Sequence, residues 1–174
     1  MARVQFTGQG SVKFITGADG VADVSAPTAS ELAAGVDITK FLTRDGLKTP
    51  NTGNTIDLSD ASSLFNKTGR GSHGGDAAEL TCYRDSASDT DDAWTTFVEG
   101  TIGFLVPARF GWAQDATTGL GTADGDPTAA DRCEVYPVTV ISRAVADTAD
   151  NEATKFVVTL AITDEPALSA VVAT

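Results

Sequence analysis

Histidine is almost missing from this 174-residue chain, which has one, alongside one methionine and two cysteines. A lone histidine is too few for a histidine-based zinc site, and no Cys-x-x-Cys pair replaces it. Cys82 and Cys133 are too few for a disulfide framework, and both sit among strand-like residues, as buried free thiols do. Long apolar runs are missing as well. Nothing approaches the ~20 residues of a membrane-spanning helix, and the opening MARVQFTGQG lacks the charged-then-apolar pattern of a signal peptide. The expectation is an intracellular product that engages no membrane. Cations are scarce: 12 lysines and arginines stand against 24 acids, a formal net charge of −12. Scattered and outnumbered cations exclude nucleic-acid binding by phosphate neutralisation.

The acids are unevenly placed. Through Arg84 there are eight basic and nine acidic residues; from Asp85 onward there are four and fifteen. One half is close to neutral and free to pack, whereas the other presents a field that repels polyanions. Such a field bears on association and steering, not on fold.

A hydrophobic content of 41% and this length suit one domain, residues 1–174, with a core of its own. Strand signals dominate. Residues 11–16 (SVKFIT), 35–42 (GVDITKFL) and 78–84 (AELTCYR) are candidates, the last setting Leu80 and Cys82 against Glu79, Thr81 and Tyr83. Residues 101–108 place Ile102, Phe104 and Val106 on one face. In 134–143, Pro137 argues for an edge or a bulge. The clearest period of two is in 155–163: Phe156, Val158, Leu160 and Ile162 form an apolar wall, and Lys155, Thr159 and Thr163 a polar one. These are half-buried strands of antiparallel type.

Two short helices interrupt them. Thr28-Ala29-Ser30-Glu31 reads as a capping box behind Pro27, with Gly35 ending the turn after Ala34. A second helix is expected over 91–99, capped by Asp89 or Thr90 and stopped by Gly100. In it Trp94, Phe97 and Val98 fall at i, i+3 and i+4, one apolar stripe to lay on a sheet. Residues 43–77 form a polar stretch with isolated apolar residues: Leu47, Ile56, Leu58, Leu64 and Phe65. Loops this long are uncommon in compact domains unless functional, so the expectation is a loop whose apolar residues dock on another subunit. A second Gly/Asp-rich loop, 113–131, has the same coreless composition.

Chemistry is hard to find. Asp89, Asp91 and Asp92 lack the Gly and Glu that would complete a calcium loop, as do Asp124 and Asp126. Ser72 and His73 adjoin in a glycine-rich loop, but neighbours in sequence are not a triad, and neither a Gly-x-Ser-x-Gly elbow nor a P-loop is present. The reading is no enzyme, no metal and no cofactor.

Three separated blocks carry a resemblance: 26–41 (APTASELAAGVDITKF), 92–111 ending EGTIGFLVPARFG, and 131–163, with RCEVYPVT followed by KFVVTL. In this order and spacing they resemble the major tail tube proteins of long-tailed, siphovirus-type bacteriophages, particularly those of actinobacterial hosts. The resemblance implies a β-sandwich or barrel flanked by a helix. It further implies a homo-oligomer: rings of six whose inner sheets close a barrel around a channel, stacked into a tube. Its other partners would be a tape-measure protein, a tail terminator and distal tail or tip proteins, with DNA passing through unbound. The place would be the virion tail, assembled in the bacterial cytoplasm. By position, 43–77 matches the family's long loop to a neighbouring subunit or ring, while 113–131 departs from the family pattern. Asp57, Glu79 and Glu134, on or beside expected strands, are candidates to line an acidic bore; otherwise each is an outward, solvated acid. The alternative is an immunoglobulin-like decoration or adhesion module of a capsid or tail, its strands kept within one chain.

Overall fold

Alternation of apolar and polar side chains, the period a half-buried strand requires, organises the computed structural model. It describes residues 10–49, 52–57, 68–74, 77–85, 91–146 and 152–174, with 52–57 and 68–74 described as backbone. In chain order the elements are β1 (Ser11–Thr16), α1 (Ala29–Ala33), β2 (Val36–Asp37), β3 (Leu42–Lys48), β4 (Thr52–Asp57), β5 (Thr68–Gly74) and β6 (Ala78–Tyr83). They continue with α2 (Asp92–Thr96), β7 (Ile102–Ala108), β8 (Arg132–Val145), β9 (Lys155–Ile162) and β10 (Ala167–Val171). One antiparallel sheet runs β2-β1-β7-β8-β9-β6-β3, with β10 added on β8, and β4 and β5 form a separate hairpin.

The fourteen-residue β8 is the spine. One edge pairs with β7, Leu105 opposite Tyr136 and Ile102 opposite Thr139. Its other edge changes partner: β10 takes Val135 and Arg132, then β9 takes Val138 through Val145. Pro137 sits at the changeover. Its carbonyl accepts the Thr163 N–H at 2.9 Å, so its missing N–H falls in the gap between β9 and β10 and costs no ladder bond. The sequence reading of an edge or bulge is corrected to this interior break.

Two cores lie on opposite faces of the sheet. One joins Val12, Phe14, Leu80, Cys82, Leu105, Tyr136, Val138, Phe156, Val158 and Leu160, and is closed by Ile38, Ala93 and Phe97. The other joins Ile15, Phe104, Val106, Val135 and Cys133 beneath Leu32 of α1, Trp112, and Ala170 and Val172 at the C-terminus. β7 is therefore buried on both faces, apart from half-exposed Ile102; one apolar face had been expected. β6 and β9 follow the expected alternation.

Local chemistry sets the short elements. At α1 the capping box is complete: Thr28 Oγ1 accepts the Glu31 N–H at 3.3 Å, and Glu31 Oε2 accepts the Thr28 N–H at 2.7 Å. Glu31 Oε1 also accepts the Ala22 N–H at 3.0 Å, pinning the incoming loop. These backbone donors, Thr28 foremost, hold the Glu31 carboxyl below its ordinary value. α2 spans only five residues, too few to persist alone, and is held by packing: Phe97 meets Phe14 edge-on at 4.9 Å and Trp94 meets Phe156 at 5.1 Å. Its N-cap is Asp91, which makes no capping bond; Asp89 and Thr90 lie outside the described residues. The helical path ends at Thr96, so Val98 is past the helix and 48% exposed, and Ala93 fills the buried position instead.

Two other expectations change. Residues 35–42 are not one strand: Asp37 accepts the Thr39 N–H at 2.8 Å, and Phe41 and Leu42 N–H groups return to Ile38 O. That turn drives Ile38 into the first core and carries the chain across to β3. The stretch 43–77, expected as a loop, contributes the rest of β3 and the β4–β5 hairpin. β3 buckles between Leu42 and Leu47, and there a Cβ on Gly46 would stand 2.4 Å from Thr81 O, so only glycine fits.

Phe97→Ala should lower the unfolding free energy by about 3–5 kcal/mol, and Val98→Ala by less than about 0.5 kcal/mol, as read by urea denaturation. Glu31 predicts a pH dependence of definite sign. A carboxyl whose folded pKa is depressed stabilises above its unfolded pKa, and that contribution fades as pH falls through the folded value. Glu31→Gln should thus be less stable than the parent at pH 7, with the gap closing below the reference pKa of 4.5; an unchanging gap down to pH 3 contradicts the assignment.

Candidate functional site

The sheet's second core covers only the end where β1, β7 and the first half of β8 lie. Beyond it, among the described residues, no second layer covers the same face of β8, β9, β6 and β3. Register places its rows: Ser142, Thr159 and Glu79 in one, Ala144, Val157 and Thr81 in the next, Thr139 with Ala161, and Lys155 with Tyr83. The surface is broad and mixes Ser and Thr hydroxyls with Ala144, Val157 and Ala161. Its charges are matched: Lys48 Nζ lies 3.4 Å from Glu79 Oε2, and Lys155 Nζ lies 4.0 Å from Glu152 while 5.9 Å above the Tyr83 ring. Exposed pairs of this kind contribute little to stability, but they leave the face close to neutral. Among the described residues β3 pairs with β6 alone, which leaves its outer edge open.

At the far end, one polar node ties together the roots of both extensions. Arg109, just past β7, donates Nε to Glu134 Oε1 at 2.5 Å and Nη2 to Glu134 Oε2 at 3.0 Å. Tyr136 donates its hydroxyl to Glu134 Oε2 at 2.9 Å, and Arg109 Nη2 reaches Thr49 Oγ1 at 3.4 Å, where the chain leaves for the β4–β5 hairpin. The Glu134 bond raises the Arg109 pKa further, and burial raises that of the Tyr136 phenol. The Arg–carboxylate fork is bidentate, the geometry that fixes orientation as well as charge.

The 113–131 segment is built around a buried acid, contrary to its coreless composition. Asp131 Oδ2 accepts from the Ala113 N–H (2.9 Å), the Thr128 N–H (2.8 Å) and the Thr128 hydroxyl (3.0 Å), and Oδ1 accepts from the Gln114 N–H (2.7 Å). The Gln114 side chain bridges Gly111 and Arg132. Trp112, fully buried, anchors the segment in the second core and exchanges backbone bonds with Thr122. At the opposite end of the first core, Trp94 is stacked by Arg84 at 3.8 Å and Arg143 at 3.7 Å. Arg84 Nε also donates to buried Asp91 at 2.6 Å, and Arg143 donates to the Trp94 carbonyl. Burial pushes both thiols, Cys82 and Cys133, up to about 12.

The expected site residues do not converge. Glu79 is on the open face, paired with Lys48, whereas Glu134 faces the other way and is matched by Arg109 instead of standing as a free acid. Leu47 packs against its own chain's core. Ile56 and Asp57 are on β4, and Leu58, Leu64 and Phe65 lie outside the described residues. Phe97 is buried in the first core and Trp94 packs against it, whereas Val98 is half-exposed. Ser72 and His73 are consecutive on β5. Among the described residues no group of three or more His, Cys, Asp or Glu could hold a metal. The Arg109 node and the Asp131 cradle went unread. Glu134 and Tyr136, two apart on a strand, share a face, and Thr128 three before Asp131 is a local turn signal; their distant partners left no trace in spacing.

Comparison with known proteins gives this architecture its setting. The whole chain, residues 1–174, matches a family model described as phage tail tube protein. No curated protein sequence matches it. Among solved structures it is similar to the tail of an empty gene transfer agent particle refined helically with C6 symmetry, at TM-score 0.55 and 12% identity over 96% of this chain and 100% of that one. It is also similar to the SPP1 tail tube (TM-score 0.52, 11% identity, 97% and 80% covered). A chain of the six-fold symmetrised anti-feeding prophage baseplate is a third (0.53, 12%, 94% and 95%). At these identities the structural likeness is one of fold.

Removing the buried acid tests the built character of 113–131. Asp131→Ala strands several N–H donors and should cost about 2–4 kcal/mol, with hydrogen exchange accelerating at Ala113, Gln114 and Thr128. Unchanged protection at those amides would contradict the cradle.

Proposed function

The chain belongs to the phage tail tube protein family, and from that premise we propose that it assembles into rings of six that stack into the tail tube. It is a structural virion component of mainly β fold. The open face of β8, β9, β6 and β3 turns to the bore, and the observation that carries this reading is that this face, uncovered among the described residues, mixes hydroxyls and paired charges with small apolar side chains and ends at a strand with one free edge. An uncovered edge invites uncontrolled pairing. Continuing the sheet from copy to copy around a ring removes it, at the cost of a fixed strand tilt and stagger.

The bore's chemistry follows from the rows of that face. Serine and threonine hydroxyls with closed Lys–Glu pairs give passing DNA few cations to neutralise its phosphates, so little counterion release holds it in place. Each copy adds a net charge of −12, and the summed field of a ring keeps a polyanion off the walls. Asp57 on β4 would add free acid to the lining, while Glu79 contributes only what Lys48 leaves unmatched. In this reading the bore holds a tape-measure protein while the tail is built in the bacterial cytoplasm, and later conducts DNA during ejection. A tail terminator and the distal tip proteins close its ends. The β4–β5 hairpin, with Ile56 and with Leu58, Leu64 and Phe65 in its span, reaches the neighbouring subunit or ring.

Purified protein examined by sedimentation and negative-stain electron microscopy should form hollow tubes of six-fold cross-section above a threshold concentration, or on tail-tip seeds. Monomers alone under both conditions would contradict the proposal and favour a decoration module.

A further inference from the structure

Where β10 meets the start of β8, three large apolar side chains stand in the open around one cation. Phe110, Leu168 and Val171 are 39%, 49% and 45% exposed. Phe110 and Leu168 line one groove with Pro107, Cys133 and Arg132, a cavity of about 150 Å³. Val171 is the ladder partner of Arg132, which brings it to the same rim. The groove's two other charges, Arg109 and Glu134, cancel in their bidentate pair. The Arg132 backbone is tied to Gln114, but among the described residues its exposed guanidinium has no ion-pair partner. The groove thus sets apolar side chains and Ser169 beside a net charge of about +1, on a chain whose formal charge is −12.

We infer that this groove is a contact between copies: Phe110, Leu168 and Val171 cover an apolar side chain of a second copy, and Arg132 pairs with one of that copy's carboxylates. This rests on the tube reading and names one of its joints. The chemistry selects the occupant. A lone surface cation ringed by apolar side chains suits a segment in which an acid adjoins an apolar residue, and a second copy of this acid-rich chain offers such segments in abundance. Phenylalanine and arginine, which meet here in Phe110 and Arg132, are residue types enriched at protein interfaces. The site is incomplete in one copy, because among the described residues no carboxylate matches its cation. A heterologous contact of this kind, groove to a different surface, propagates assemblies instead of closing dimers.

The test uses the full chain. Leu168→Glu and Arg132→Glu should leave the thermal melt near the parent's, since both side chains are exposed, while raising the threshold concentration for assembly by about tenfold or more, the effect of losing one interface anchor. Arg132→Gln should raise it less and flatten its dependence on salt, because the screened pair is gone. If the parent forms tubes and all three variants assemble as the parent does, with the same salt dependence, the groove is no joint and the tube reading stands. If the parent itself never assembles, with or without tip seeds, both fall. Should Leu168→Glu misfold, Arg132→Gln decides: an unchanged threshold and salt slope overturn the contact.

Discussion

Strand β8 shares hydrogen bonds with β7 along one edge and with β10, then β9, along the other, and it contributes side chains to both cores. The rest of the molecule depends on that double pairing. With both edges and both faces occupied through its first half, β8 fixes the register of β7 and, through it, β1. Past the changeover at Pro137 only one face remains covered. The open sheet face is therefore a consequence of where β8 exchanges β10 for β9, not a separate feature added to the fold.

The same strand anchors what projects from the body. Glu134 receives Arg109, whose other nitrogen reaches Thr49, so the point where the chain departs for the β4–β5 hairpin and the point where it departs for 113–131 are clamped to one carboxylate. Three residues earlier Asp131 gathers the two ends of the 113–131 segment. Extensions held at their roots by charged hydrogen bonds are placed by the body, as a subunit needs if its extensions are to meet a neighbour in a fixed position.

Much of this was legible in the letters. A period of two in 155–163 and 78–84 marked β9 and β6 because one face of each meets a core and the other does not. The Thr28–Glu31 spacing marked α1 because capping is local. Reading failed where contacts are distant. β7 looked half-buried because its second covering layer, α1 and β10, comes from elsewhere in the chain. The stripe Trp94, Phe97, Val98 suggested a longer α2, but the backbone leaves the helix at Phe97, whose ring meets Phe14 edge-on. Composition made 113–131 look coreless, since a single buried Asp131 does not register in a count of apolar residues. Glu134 was legible as a strand acid and illegible as Arg109's partner, twenty-five positions away.

This chain belongs to the phage tail tube family, and among its described residues part of one sheet face and the outer edge of β3 are left uncovered. The most direct test is a helical reconstruction of the assembled protein at side-chain resolution. Thr81, Ser142 and Thr159 should line the wall of the bore, with β3 continuing into the sheet of the adjacent copy. A tube whose bore is lined by another surface, with those three residues buried between rings or facing the outside, would contradict that arrangement.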